Sequence, residues 1–202
     1  RRTSGKRRRR EAPGARMEGK TPKDSDPEDV HATLKGAGGA DVMGRVEEVG
    51  PELKFVQERE ADCSVALSAL RDGRLPLRVT HNDTKLNNIL IDRESGEGIC
   101  VIDLDTVMPG LAINDFGDSI RFGANHSAED ERDLTKVNFD LELFDVYAAG
   151  FLEGAGGALP EPGLDYLPWG ARLLPPAVGI TLLPAHLEGA PYFRLHPDAP
   201  PR

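Results

Sequence analysis

The residues best equipped for chemistry lie in His81-Asn82-Asp83-Thr84-Lys85-Leu86-Asn87-Asn88, which contains the pattern His-x-Asp-x-Lys-x-x-Asn. Twenty residues after Asp83 comes Asp103, which closes the apolar run Ile99–Ile102. Phosphoryl transfer to an alcohol would use these residue types together. A carboxylate must orient the acceptor hydroxyl and take its proton, and Asp83 suits that task. The transferred phosphoryl group spreads negative charge over its oxygens, so a cation such as Lys85 lowers the barrier. Magnesium takes hard oxygen ligands, which a carboxylate (Asp103) and an amide oxygen (Asn88) supply. His81 belongs to the same catalytic set, where its expected job is to hold the loop. Any one of these residues alone is more often a turn former or a hydrogen-bonded structural residue; the joint spacing carries the argument.

Such a loop needs elements on both sides to hold it. Upstream, Pro51 suits a first helical position. Leu53, Val56, Cys63, Ala66, Leu67 and Leu70 continue a helical period that stops at Gly73. Leu75–Thr80 then reads as a short extended run. Asn88–Asp92 and Ile99–Asp103 read as two strands of a hairpin turned by Glu94-Ser95-Gly96-Glu97-Gly98. Ser127-Ala128-Glu129-Asp130 resembles a capping box. A helix is expected from about Asp140 to Glu153, with Leu141, Phe144, Ala148 and Phe151 on one face and Gly154 at its end. The tail predicts two helical pieces, around 164–174 and 178–188, interrupted by Pro175, Pro176 and Pro184.

Thr80–Asn88, followed by Val101-Ile102-Asp103-Leu104-Asp105-Thr106-Val107-Met108-Pro109-Gly110, resembles the aminoglycoside phosphotransferase/choline kinase superfamily. Within it the sequence is most similar to the N-acetylhexosamine 1-kinases, a likeness extended by Val49–Leu53, Asp115–Gly123 and Asp140–Phe144. The resemblance covers about residues 45–172 and, more loosely, 178–196. It implies an α+β fold, the mainly helical C-lobe of a protein-kinase-like domain with a small catalytic β-hairpin. It also implies ATP as donor, Mg2+, and an N-acetylhexosamine phosphorylated at its anomeric hydroxyl. By this match Asp83 is the catalytic base, Asn88 and Asp103 hold magnesium, and Asp115 corresponds to a buried Asp that braces the catalytic loop. A choline- or aminoglycoside-type kinase is the alternative within the same chemistry.

Two other motifs are decoys. Asp115-Phe116-Gly117 spells a kinase metal motif but lies 32 residues after Asp83 and follows a loop, so the metal is assigned to Asp103. Gly14–Thr21 matches the phosphate-binding Gly-x-x-x-x-Gly-Lys-Thr pattern. Neither a strand before it nor a helix after it is available, and Pro22 follows at once, so it is rejected.

Composition bounds the rest. Residues 1–16 carry eight Lys/Arg against Glu11 alone, a local +7 within a net −9, which leaves −16 for the remainder. That acidic body argues against nucleic acid as a partner. Residues 1–45 lack aromatics and apolar periodicity and are expected to be disordered, with the domain spanning 46–202. No apolar stretch reaches 18 residues, so no membrane span is expected. Cys63 and Cys100 read as buried apolar fillers in a reducing compartment, which suggests the cytoplasm. Upstream of His81 no glycine loop and no lysine in an apolar strand marks an ATP-covering N-lobe. The chain therefore reads as a C-lobe, expected to show no measurable transfer alone. An inactive remnant or binding module of that fold is the competing reading.

Overall fold

The computed structural model describes residues 44–129 and 131–187. Six helices and two strand pairs form an α+β fold. The helices are α1 (Gly50–Gln57), α2 (Glu60–Arg71), α3 (Ala112–Gly123), α4 (Leu141–Ala155), α5 (Glu161–Asp165) and α6 (Leu167–Leu187). Both strand pairs are antiparallel. β1 (Arg78–Thr80) pairs with β4 (Met108–Gly110), Thr80 opposite Met108. β2 (Ile89–Ile91) pairs with β3 (Gly98–Val101), Ile89 opposite Val101. The α2–β1 connection places Thr80 at the mouth of the His81–Lys85 loop, and β4 leads straight into α3.

The core sits where α3 crosses α6. Ile113, Phe116 and Ile120 recur at helical spacing and bury one face of α3 against Leu167 and Leu173 of α6 and Ala66 and Ala69 of α2. The crossing is close because two glycines meet. A Cβ on Gly117 would collide with the backbone of Gly170, and one on Gly170 with the carbonyl of Ile113. The Phe116 ring is met edge-on by Phe144 and Phe151 of α4, at centroid distances of 6.2 and 5.2 Å. A second cluster joins Val49 and Val56 to Ile180, Leu183 and Leu187.

Several expectations are corrected. The helix expected to run unbroken to Gly73 is two helices parted at Glu58-Arg59. Arg59 donates to the Phe55 carbonyl and its guanidinium lies 3.8 Å over the Phe55 ring, a local interaction that competes with helix propagation. The strand β4, three residues containing Pro109, was not expected. Ser127 starts no helix; its hydroxyl and N–H both turn to Asn125 Oδ1. Helix α4 passes through Gly154 and is closed instead by Gly156 in the left-handed region, φ +54°. Pro175, Pro176 and Pro184 do not break the tail helix; they lie inside α6. Burial of Leu173 in one cluster and of Ile180, Leu183 and Leu187 in the other offsets the backbone bonds the prolines cannot make. Cys63 is half-buried and Cys100 exposed, so neither is a buried filler.

No helix among the described residues is long and apolar enough to cross a membrane. Residues 1–43, including the Gly14–Thr21 motif and nearly all of the expected disordered segment, lie outside the described residues. Of that segment Gly44 and Arg45 are described, and Arg45 donates to the His186 carbonyl at the end of α6.

Candidate active site

The loop from His81 to Lys85 has little regular structure of its own, so its backbone groups must find partners elsewhere. Most come from one face of α3. Asp115, Asp118 and Ser119 stand at i, i+3 and i+4 and therefore share that face. Asp115 accepts the N–H of His81 at Oδ2 and that of Asn82 at Oδ1, both at 2.8 Å. Asp118 accepts the N–H of Thr84 at 2.9 Å, and Ser119 Oγ donates to the Thr84 carbonyl. The Thr84 hydroxyl donates to the backbone oxygen of Asp115 at 2.7 Å. Asp115 is half-buried, not fully buried as the resemblance implied, and its carboxylate is spent on loop N–H groups.

The other wall is the segment after β3. Thr106 Oγ1 donates to the His81 carbonyl, and Asn82 Nδ2 donates to the Thr106 carbonyl. Asn82 takes φ +65°, a left-handed conformation that asparagine tolerates better than most residues. Gly110 stands beside it because a Cβ there would press into Thr80 and Asn82.

His81 links the two halves of the site. Asp83 N–H donates to His81 Nδ1, so the proton sits on Nε2, which donates to the Ile102 carbonyl at 3.0 Å. Both ring nitrogens are thus engaged by backbone, which fits a holding role better than proton transfer.

The Asp83 carboxylate is gripped at one oxygen. Oδ2 lies 3.2 Å from Lys85 Nζ and accepts from Asn88 Nδ2 at 2.8 Å. Asn88 Nδ2 also donates to the Asp83 carbonyl at 2.8 Å. Asp83 Oδ1 accepts no hydrogen bond among the described residues. Because Asn88 commits its NH2 to Asp83, its amide oxygen faces away from that carboxylate. Ile102 N–H donates to the Asn88 carbonyl at 2.9 Å, which puts Asp103 in the stretch next to Asn88. Asp103 is exposed at φ +60°. Among the described residues, Asn82 and Asp103 are the two non-glycines with positive φ, and both belong to this site. No three His, Cys, Asp or Glu side chains among the described residues gather as a metal cage.

The residues singled out in the sequence therefore fall around one loop: His81, Asp83, Lys85 and Asn88 on it, Asp103 beside it and Asp115 beneath it. Missed were Asp118, Ser119 and the Arg121 that pairs with Asp118. Arg121 Nε donates to Asp118 Oδ1 at 3.0 Å and Nη1 to Glu129 at 2.8 Å. Burial opposes the Arg121 charge, but Asp118 and Glu129 outweigh it and the guanidinium pKa is raised. The available signal was the Asp-x-x-Asp-Ser spacing within the α3 pattern.

The family model described as "Phosphotransferase enzyme family" (APH) matches residues 22–158. The match begins upstream of the boundary placed at residue 45 and takes in the catalytic loop, both strand pairs, α3 and α4. The chain belongs to the APH phosphotransferase family.

Proposed function

We propose that this protein transfers the γ-phosphoryl group of ATP to a hydroxyl of a small molecule, the anomeric hydroxyl of an N-acetylhexosamine. The observation that carries the reading is the one-sided grip on Asp83. Lys85 and Asn88 occupy Oδ2 and leave Oδ1 open, the arrangement a base needs to receive a hydroxyl proton without turning. The acceptor oxygen bonds to the γ-phosphorus, the bond from phosphorus to the β–γ bridging oxygen breaks, and the hydroxyl proton passes to Asp83 Oδ1. Lys85 keeps positive charge beside that path.

The donor set fits magnesium. The free Asn88 oxygen and the exposed Asp103 carboxylate are hard oxygens on neighbouring segments. Two protein ligands suit an ion that takes the rest of its shell from phosphates and water. When bound, Mg2+ neutralises charge on the donor phosphates. Asp115 braces the loop, and His81 ties Asp83 to Ile102.

The choice of an N-acetylhexosamine rests on the likeness of Asn82-Asp83-Thr84-Lys85 and Asp115–Gly123 to that subgroup. The test is transfer from labelled ATP to N-acetylhexosamines, choline and aminoglycosides. It uses the chain alone and joined to the amino-terminal lobe of another family member, each with an Asp83→Asn control. Sugar 1-phosphate above the control supports the proposal. Product with choline or an aminoglycoside instead keeps the reaction and overturns the acceptor. No product in either form rejects both.

A further inference from the structure

The Thr84 hydroxyl bonds to the Asp115 backbone oxygen, but the Thr84 N–H and carbonyl are not explained by the Asp115 brace. Asp115 reaches the two N–H groups before the base, those of His81 and Asn82. On the far side of Asp83 the peptide is held separately, with Thr84 N–H on Asp118 and the Thr84 carbonyl on Ser119. Asp118 is almost fully buried, at 2 % exposure, and a buried carboxylate is costly unless its charge is met. Arg121 meets it from one turn along the same helix and is itself anchored by Glu129 in the α3–α4 connection.

We propose that Asp118 is a second positioning residue. With Arg121 as its counter-ion, it fixes the Asp83 peptide from the carboxyl-terminal side, so that the base is held between two helix carboxylates. The proposal rests on the reading of Asp83 as the base. Asp118 touches no reacting atom; it acts through the Thr84 N–H. Without it the His81, Asn82 and Thr84 hydroxyl bonds persist, but the N–H of the Asp83–Thr84 peptide loses its acceptor and that peptide can tilt. A displacement of the order of an ångström is enough to cost about a hundredfold in rate.

The experiment follows single amides and kinetics in parallel. Amide hydrogen exchange is measured by NMR on the whole chain for wild type, Asp118→Asn and Asp118→Ala, reading His81, Asn82 and Thr84. Asp118→Ala is expected to speed Thr84 exchange roughly tenfold or more, the loss of a hydrogen bond to a charged acceptor, while His81 and Asn82 stay protected. Asp118→Asn cannot accept from Thr84 and from Arg121 at once without turning an NH2 towards one of them, so it falls between. In the form active in transfer, kcat falls in the same order with the nucleotide KM unchanged. Unaltered Thr84 exchange, or unaltered kcat with exchange raised, overturns the proposal. If Asp118→Ala raises all three amides together through general unfolding, Asp118→Asn decides alone. If the exchange pattern holds but no form transfers phosphate, the phosphotransferase reading fails and the Asp118 clamp stands as architecture.

Discussion

The His81–Lys85 loop lies between two regions built on opposite principles. On the α3 side the loop is packed and bound: Phe116, Ile120 and Asp118 are each about 2 % exposed, and three side chains of one helix face bind loop backbone. On the hairpin side apolar residues face solvent. Ile99 is 65 % exposed and Val79 81 %, and Leu90, Ile91, Val101 and Leu104 are exposed as well. Scattered exposed leucines need no explanation, but so many exposed apolar residues along two short strand pairs mark a surface that something can cover. The helical side thus gives the loop its shape, and the hairpin side offers a wall to whatever lies over it, in our reading the nucleotide and an ATP-covering lobe.

Five substitutions break or sharpen that division. The largest effect is expected at the loop itself. Asp83→Asn keeps the Asn88 and helix contacts yet removes the proton acceptor, so turnover should fall by roughly 10²–10⁴. The thermal midpoint should hardly move, because the side chain is partly exposed. A variant that loses its fold together with its activity would make Asp83 a structural residue and erase the distinction between loop and support.

Next come paired changes in the two regions. Phe116→Ala removes the ring on which Phe144 and Phe151 converge and should cost about 3–5 kcal/mol by denaturant titration. Ile99→Ser, on the open hairpin, should stay within about 0.5 kcal/mol while weakening Mg-ATP binding. Equal destabilisation by both would mean that the hairpin face is covered within this domain. Between them in kind stands Asp103→Ala, which leaves the helical side untouched. Its Mg-ATP affinity should fall by more than the roughly 10–100-fold that loss of an outer-shell partner costs, by calorimetry. Unchanged affinity would remove Asp103 from the proposed metal site.

The same division explains what the sequence disclosed. His81, Asp83, Lys85, Asn88 and Asp103 could be picked out together because they stand at short spacing beside apolar runs, and the hairpin because apolar runs flank a turn. Asp118 was not, because its partner Thr84 is 34 residues away and one Asp on an amphipathic helix looks like solvated surface. Strand β4 was hidden because Met108-Pro109-Gly110 has no alternation; pairing with β1 makes it a strand. The prolines of α6 misled because local cost was weighed without the burial that offsets it. Gly117 and Gly170 carried the helix crossing, but a glycine inside a helical pattern announces only a weak helix until its neighbour is known.

The smallest expected effect lies at the edge of the helical side. Asp140 caps α4, accepting from Glu142 and Leu143 N–H at 2.8 and 3.0 Å, with His126 Nε2 at 2.8 Å. The Leu143 N–H, then His126, then the Glu142 N–H hold its carboxyl pKa below the ordinary value. These groups favour the ionised form in the folded chain, so folding binds Asp140 as carboxylate more readily than the unfolded chain does. The cap contribution is therefore fully present above the unfolded carboxyl pKa of about 4 and fades as pH falls through the lower folded value. Asp140→Ala should lower the thermal midpoint slightly at pH 6, and the gap from wild type should close as the pH is taken below about 4. The difference between the two proteins isolates this group from other carboxylates that titrate in the same range, such as Asp92 and Asp133. A gap of constant size from pH 6 down to pH 2 would show that Asp140 stabilises α4 by contacts that do not depend on its charge.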